Sequence, residues 1–137
     1  MNDEQLAVKE FHKLFGIAIS NYPQIQNESD AALRLALIAE EFNELIQAIA
    51  AQDPVRVADA LGDLLYVVYG AGVTFGIDLD PVFWEIHRSN LSKYPEDGVF
   101  VRREDGKIMK SETFTPPDLK TIIDEQINRG ITLSPED

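Results

Sequence analysis

Between Ser29 and Phe75 the sequence carries two long apolar stripes at helical spacing, separated by a short connection around Asp53-Pro54. The first stripe holds Leu35, Ile38, Phe42, Leu45 and Ile49, with Leu33 and Leu37 beside it. The second holds Leu61, Leu64, Leu65, Val68, Ala71 and Phe75. This spacing predicts two amphipathic helices, and the short connection makes them antiparallel neighbours in a bundle. Ser29 reads as the N-cap of a helix continuing to about Ala51. Asp53 and Pro54 read as cap and first position of the next helix, closed by Gly76.

The rest of the chain follows the same signals. A first helix is predicted over about Asp3 to Ser20, with Leu6, Phe11, Leu14, Phe15 and Ala18 at helical spacing. Asp80-Pro81 opens a fourth helix that ends near Tyr94, before Pro95. Val99–Arg102 and Lys107–Lys110 predict a small hairpin around Asp105-Gly106. A final helix is expected from about Pro116 to Asn128, capped by Thr115 and stopped before Gly130. The reading is all-α: a bundle of four to five helices with a small C-terminal β-hairpin. It forms a single domain over residues 1–130, followed by a frayed tail over 131–137. More apolar positions remain on the second and third helices than one chain uses, so a homodimer is expected. Phe83 and Trp84 read as core or dimer contacts.

Composition narrows the function classes. The 137 residues suit one domain, and apolar and charged fractions of 45% and 26% are those of a folded soluble protein. No run approaches the roughly 18 apolar residues of a membrane span. The start, MNDEQLAVKEFH, lacks the features of a signal peptide, and a cytoplasmic location is expected. Without cysteine there are no disulfides and no thiolate metal sites. A net charge of −12 argues against general binding to duplex nucleic acid. Yet eight of the twelve basic residues lie from Arg88 onward, leaving the middle acidic.

That acidic middle is the chemical signal. From Leu35 to His87 there are nine acids and one base. Glu40, Glu41 and Glu44 form EEFNE within an apolar helix, where residues three and four apart share a face and like charges repel. Between Leu35 and Val55 there is no Lys or Arg to relieve them. Asp63 lies inside the apolar run ALGDLLYVVYGAG, and Asp59 falls one turn earlier on roughly the same face. Antiparallel pairing brings these acids opposite EEFNE. Three glutamates and one or two aspartates then supply hard oxygen ligands suited to Mg²⁺ or Mn²⁺. An acidic run can equally be a solvated helix face. A di-iron bundle is disfavoured, because neither His12 nor His87 has a Glu three residues before it.

EExxE, followed by Asp63 before LLYVVYG, resembles the all-α nucleoside triphosphate pyrophosphatases. These include MazG-like proteins, dimeric dUTPases and phosphoribosyl-ATP pyrophosphatase. FHKLFG, GIDLDPVFWEIHRSNLSKYPEDG, REDGKIMK and FTPPDL resemble a MazG-like branch related to dimeric dUTPases, so the likeness runs from about Phe11 to Ile123. The family's second motif is ExxD; Asp63 fits its Asp, but Ala60 stands at its Glu. The resemblance implies an intertwined homodimer that hydrolyses a nucleoside triphosphate, dUTP or another pyrimidine deoxynucleotide, at the α–β linkage. Glu41, Glu44 and Asp63 would be the main metal ligands, with Asp59 a further carboxylate. Glu40 would be a ligand or the carboxylate that takes the proton of the attacking water. Asn90 and Lys93 match substrate-contacting positions. Arg103 and Lys110 would close over the triphosphate, and His12 and Phe15 would line a nucleobase pocket. The alternative is a catalytically weakened nucleotide-binding or dimeric interaction module, motivated by Ala60.

Overall fold

The computed structural model describes residues 1–25 and 27–133, with side chains to residue 130. Among the described residues all regular structure is helical: α1 Asp3–Phe15, α2 Glu28–Ala50, α3 Pro54–Phe75, α4 Leu79–Leu91 and α5 Leu119–Leu133. Two compact units divide the chain. One comprises Met1–Leu79 with the residues from Gln126 on, and the other Asp80–Glu125.

In the first unit, α3 packs antiparallel against α2 and also against α1. Its start follows the predicted chemistry: Asp53 accepts hydrogen bonds from the backbone N–H groups of Val55 and Arg56 at 3.0 and 3.3 Å. Gly76 closes it in the left-handed conformation, φ 69°. A Cβ there would meet the Tyr22 carbonyl oxygen, so no larger residue fits. The N-cap of α2 is Asn27 rather than Ser29. The Asn27 carboxamide oxygen accepts from the N–H groups of Ser29 and Asp30, and from the Ser29 hydroxyl. Its reach suits the cap geometry, which leaves Ser29 inside the first turn. α1 stops at Phe15 because Gly16 turns left-handed, φ 67°, five residues short of the predicted end. Buried Gln5 fastens α1 to the chain after α3, donating to the Ile77 carbonyl at 2.7 Å and accepting from Leu79 N–H at 2.9 Å.

Other predicted boundaries shift for physical reasons. α5 begins at Leu119, with Asp118 accepting from Thr121 N–H, instead of at Pro116 under a Thr115 cap. It also runs through Gly130. That glycine serves packing, not termination: a Cβ there would lie 2.4 Å from the Tyr22 Cβ. The backbone of residues 131–133 continues α5, and the rest of the predicted frayed tail lies outside the described residues. The predicted hairpin does not form strands. Gly106, φ 90°, makes a tight turn, with Arg103 N–H bonded to the Lys107 carbonyl at 2.7 Å. Beyond it there is only a single antiparallel bridge between Arg102 and Ile108. Val99 and Val101 are exposed, so the flanking segments have no buried face to set a longer ladder.

In the second unit, the end of α4 is tied to the segment before α5. Arg88 pairs with Glu85 at 2.7 Å and donates to the Thr115 hydroxyl at 2.7 Å. Ser89, almost wholly buried, donates to the Thr115 carbonyl at 2.8 Å. Phe83 and Trp84 are more than half exposed and stand edge-to-face, which removes the core half of their expected role.

The expectation about membrane spans needs correcting at α3. It has 22 residues and a mean hydropathy of 1.2 over its best window, long and apolar enough by length and composition to cross a bilayer. The apolar surface has another use here, since α3 serves two neighbouring helices. The core is small: among the described residues the buried apolar side chains are Val8, Ala48, Ala60 and Val73. Leu35, Phe42, Ile46 and Ile49 on α2 stay 51–71% exposed, as do Leu61 and Leu65 on α3 at 47% and 60%. These stripes lie open on the chain, and the expected homodimer is not shown by it.

Candidate metal and phosphate site

The α2–α3 seam positions the five acids. α2 carries Glu40, Glu41 and Glu44, and α3 carries Asp59 and Asp63. Glu41 is their centre. Its Oε2 is buried and has no hydrogen-bond partner, an uncommon state for a buried polar atom. Burial pushes the Glu41 carboxyl above its ordinary range. Asp63, Glu44, Asp59 and Glu40 push it further, in that order. Repulsion by all four places every one of the expected ligands around a single carboxylate. The other four are exposed. Among the described residues, none of the five has a salt-bridge partner.

Among the described residues, no three of these acids stand in ligand geometry as they are. Four of the five are exposed, so their side chains are free to rotate. The donor chemistry fits a hard divalent cation: five carboxylates, no thiolate, and one orphaned buried oxygen that needs a positive partner. Glu41, Glu44 and Asp63 would hold such an ion, with Asp59 and Glu40 at its edge. Ala60, at the position where ExxD has its Glu, is 2% exposed and packed into the seam. It contributes no oxygen.

The remaining candidates fall elsewhere. His12 is buried, 2% exposed, with Nδ1 at 3.0 Å from the Ala18 carbonyl. Burial lowers its pKa, the Ala18 bond opposes this, and Arg34 lowers it further. The hydrogen bond puts the proton on Nδ1, leaving Nε2 as an acceptor. Phe15 is 68% exposed, its ring centroid 4.4 Å from that of Phe11. In the second unit, Asn90 is exposed on the last turn of α4. Lys93 lies beyond the end of that helix, not on its face. A turn keeps the two adjacent, with Lys93 N–H bonded to the Asn90 carbonyl at 3.2 Å. Arg103 is held by Asp105, Nε to Oδ1 at 2.9 Å. Lys110 sits 5.0 Å from the Phe114 ring centroid.

Arg34 escaped the sequence reading. It is 5% exposed, a burial that its place at the edge of the acidic stretch does not reveal. The signal was present: Arg34 lies seven residues before Glu41, two helical turns along the same face.

Comparison with known proteins gives the chain's family. Residues 8–90 match the sequence model of the family described as phosphoribosyl-ATP pyrophosphohydrolase. The uncharacterized protein L479 of Acanthamoeba polyphaga mimivirus is 44% identical over 78 residues, which cover 54% of this chain and 31% of that protein. The chain thus spans about a third of the length of the curated relative it matches. The crystal structure of a "putative NTP pyrophosphohydrolase" from Exiguobacterium sp. 255-15 is 22% identical. It superposes with a TM-score of 0.47 over 98% of this chain and 99% of that one. With more than half of its length matched by the family model, the chain belongs to the phosphoribosyl-ATP pyrophosphohydrolase family, within the MazG-like NTP pyrophosphohydrolase superfamily.

Proposed function

We propose that the chain is a Mg²⁺-dependent pyrophosphohydrolase that cleaves a nucleoside triphosphate between its α- and β-phosphates, with Mn²⁺ able to replace Mg²⁺. The observation that carries this reading is the buried, unpartnered Oε2 of Glu41, surrounded by four further carboxylates. A dication at such a site neutralises phosphate oxygens and acidifies a water. Phosphoryl transfer depends chiefly on positioning and charge neutralisation. Glu41, Glu44 and Asp63 would position the ion, with Asp59 supporting it. Glu40, exposed beside them, would take the proton of the attacking water or serve as a further ligand. The new bond joins the water oxygen to the α-phosphorus, the bridging α–β bond breaks, and pyrophosphate leaves. Asn90 and Lys93 would contact substrate, Lys93 as a point charge on phosphate. Arg103 and Lys110 would have to leave Asp105 and Phe114 to do so.

The proposed substrate is dUTP or another pyrimidine deoxynucleotide, supported by the likeness of the segment after Gly76 to the dUTPase-related branch. The proposed working form is a cytoplasmic homodimer. Its support is the exposed stripe of Leu35, Phe42, Ile46 and Ile49, continued by Leu61 and Leu65. Buried Ala60 favours a second reading, a weakened nucleotide-binding module of the same fold. Pyrophosphate release, measured across the common nucleotides and phosphoribosyl-ATP with Mg²⁺ and Mn²⁺, separates the two. Turnover of one nucleotide supports the enzyme. No turnover at protein levels that bind the metal would sink it and leave the module.

A further inference from the structure

Arg34 is the lone base in the apolar run ALRLALIAEEFNEL, and folding buries it to 5% exposure. A guanidinium has five N–H donors and no acceptor. Among the described residues, no hydrogen bond or ion pair meets any of them. Asp30, one turn earlier on α2, reaches it only through its field. The fully enclosed, unpartnered side-chain atoms do not include the Arg34 nitrogens, so water or an entering anion can reach the guanidinium as its acceptor.

The guanidinium faces a cavity of about 90 Å³ lined by Phe11, His12, Arg34, Leu37, Tyr66 and Gly70. Gly70 makes the room: a Cβ there would lie 2.9 Å from Arg34 Nη1 and 3.2 Å from His12 Nε2. At roughly 30 Å³ per water, the space holds about three waters or one tetrahedral oxyanion. It is far below the few hundred Å³ of a pocket for a whole small molecule. Arg34 precedes Glu41 by seven residues on α2, and Gly70 follows Asp63 by seven on α3. The helices are antiparallel, so the cavity lies two turns, about 10.5 Å, along the same seam from the carboxylates.

We propose that Arg34, in the room that Gly70 leaves, forms a binding site for a small oxyanion of the phosphate class. Arginine suits such a ligand because its planar fork meets two phosphate oxygens at once. The oxyanion has two possible sources. One is free orthophosphate or pyrophosphate. The other is the terminal phosphoryl group of a nucleotide whose α–β linkage lies at Glu41 and Asp63, and this source alone rests on the pyrophosphohydrolase reading.

The test is calorimetric titration of the full chain with orthophosphate, with pyrophosphate and with an α,β-non-hydrolysable triphosphate, at matched ionic strength. Wild type is compared with Arg34→Met and Arg34→Lys, and Mn²⁺ binding is followed by electron paramagnetic resonance. Arg34→Met is expected to weaken at least one probe by about tenfold or more. Arg34→Lys should fall between it and wild type, and Mn²⁺ binding should hold in both. Loss confined to the nucleotide analogue identifies the terminal phosphate. Loss that extends to orthophosphate or pyrophosphate identifies the free anion. If no probe binds wild type, or all bind Arg34→Met as tightly, the site does not exist. Should Arg34→Met fail to fold, Arg34→Lys decides, and unchanged affinities there overturn the proposal. Loss of Mn²⁺ binding in Glu41→Gln tests the metal site separately, so the two readings fail independently.

Discussion

Asp63 on α3 is the strongest of the four charged neighbours that raise the Glu41 carboxyl on α2. The two residues lie 22 apart in sequence and belong to different helices, so their meeting defines the register of the α2–α3 seam. The same register sets Arg34 beside Gly70, two turns further along.

Glu41→Gln removes the central carboxylate. Loss of one ligand should cut kcat/KM and divalent-ion affinity by about 100-fold or more, since even outer partners of a metal site contribute about 10–100-fold. A steady-state pyrophosphate assay and an Mn²⁺ titration read both. Full activity in this variant would refute the ligand assignment.

The same residue sets a pH dependence in chelator. The folded pKa of Glu41 is raised above its ordinary 4.5, so the folded state holds the proton more tightly than the unfolded state. Its stabilising contribution is full below 4.5 and is lost as pH rises through the raised value. Thermal melts in EDTA should therefore fall across that window in wild type more than in Glu41→Gln. Added Mg²⁺ should remove the difference by neutralising the cluster.

Ala60→Glu restores the family's ExxD pattern, but at a position only 2% exposed. Overpacking of the seam should cost about 1–3 kcal/mol in EDTA, with part recovered on adding Mg²⁺. Chemical denaturation with and without metal measures it. A variant as stable as wild type in EDTA would mean that the seam has room for a sixth helix-borne carboxylate.

Gln52 has φ 54° in the connection between α2 and α3, a left-handed conformation unfavourable to residues with a Cβ. Gln52→Gly should stabilise the chain by up to about 1 kcal/mol. Urea denaturation checks this, and a loss of stability would point to an undetected contact of the Gln52 side chain.

Glu85 is held down to about 2, chiefly by its hydrogen bond to Arg88 and then by the Asp118 N–H. A depressed carboxyl stabilises above its unfolded value of 4.5 and loses that contribution as pH falls through about 2. The protection of the Asp118 amide, taken relative to its intrinsic exchange at each pH, should be lost in wild type only across that acid window. In Glu85→Gln that protection should already be reduced at neutral pH, while unchanged protection would show that the clamp does not hold this segment.

Much of the architecture was legible because its causes are local. Asp53-Pro54 and Gly76 mark the ends of α3 through their own side-chain and backbone chemistry. EEFNE, with no base among it, marked the helix face on which the acids gather around Glu41. Other boundaries answered to distant atoms. Gly130 looked like a helix stop, but Tyr22 needs the absence of its side chain. Val99 and Val101 looked like strand residues, but they have no face to bury.

Residue order was enough to decide that the chain is helical, where α3 starts and stops, and which carboxylates gather, because caps, periodicity and charge act over one or two turns. Packing decided that Glu41 is the member left with an orphaned oxygen and that Ala60 is sealed in the seam. It also decided that Arg34 ends buried beside His12 and Gly70. These outcomes depend on which helix faces meet and in what register, and desolvation is a property of neighbours that sequence spacing does not reveal.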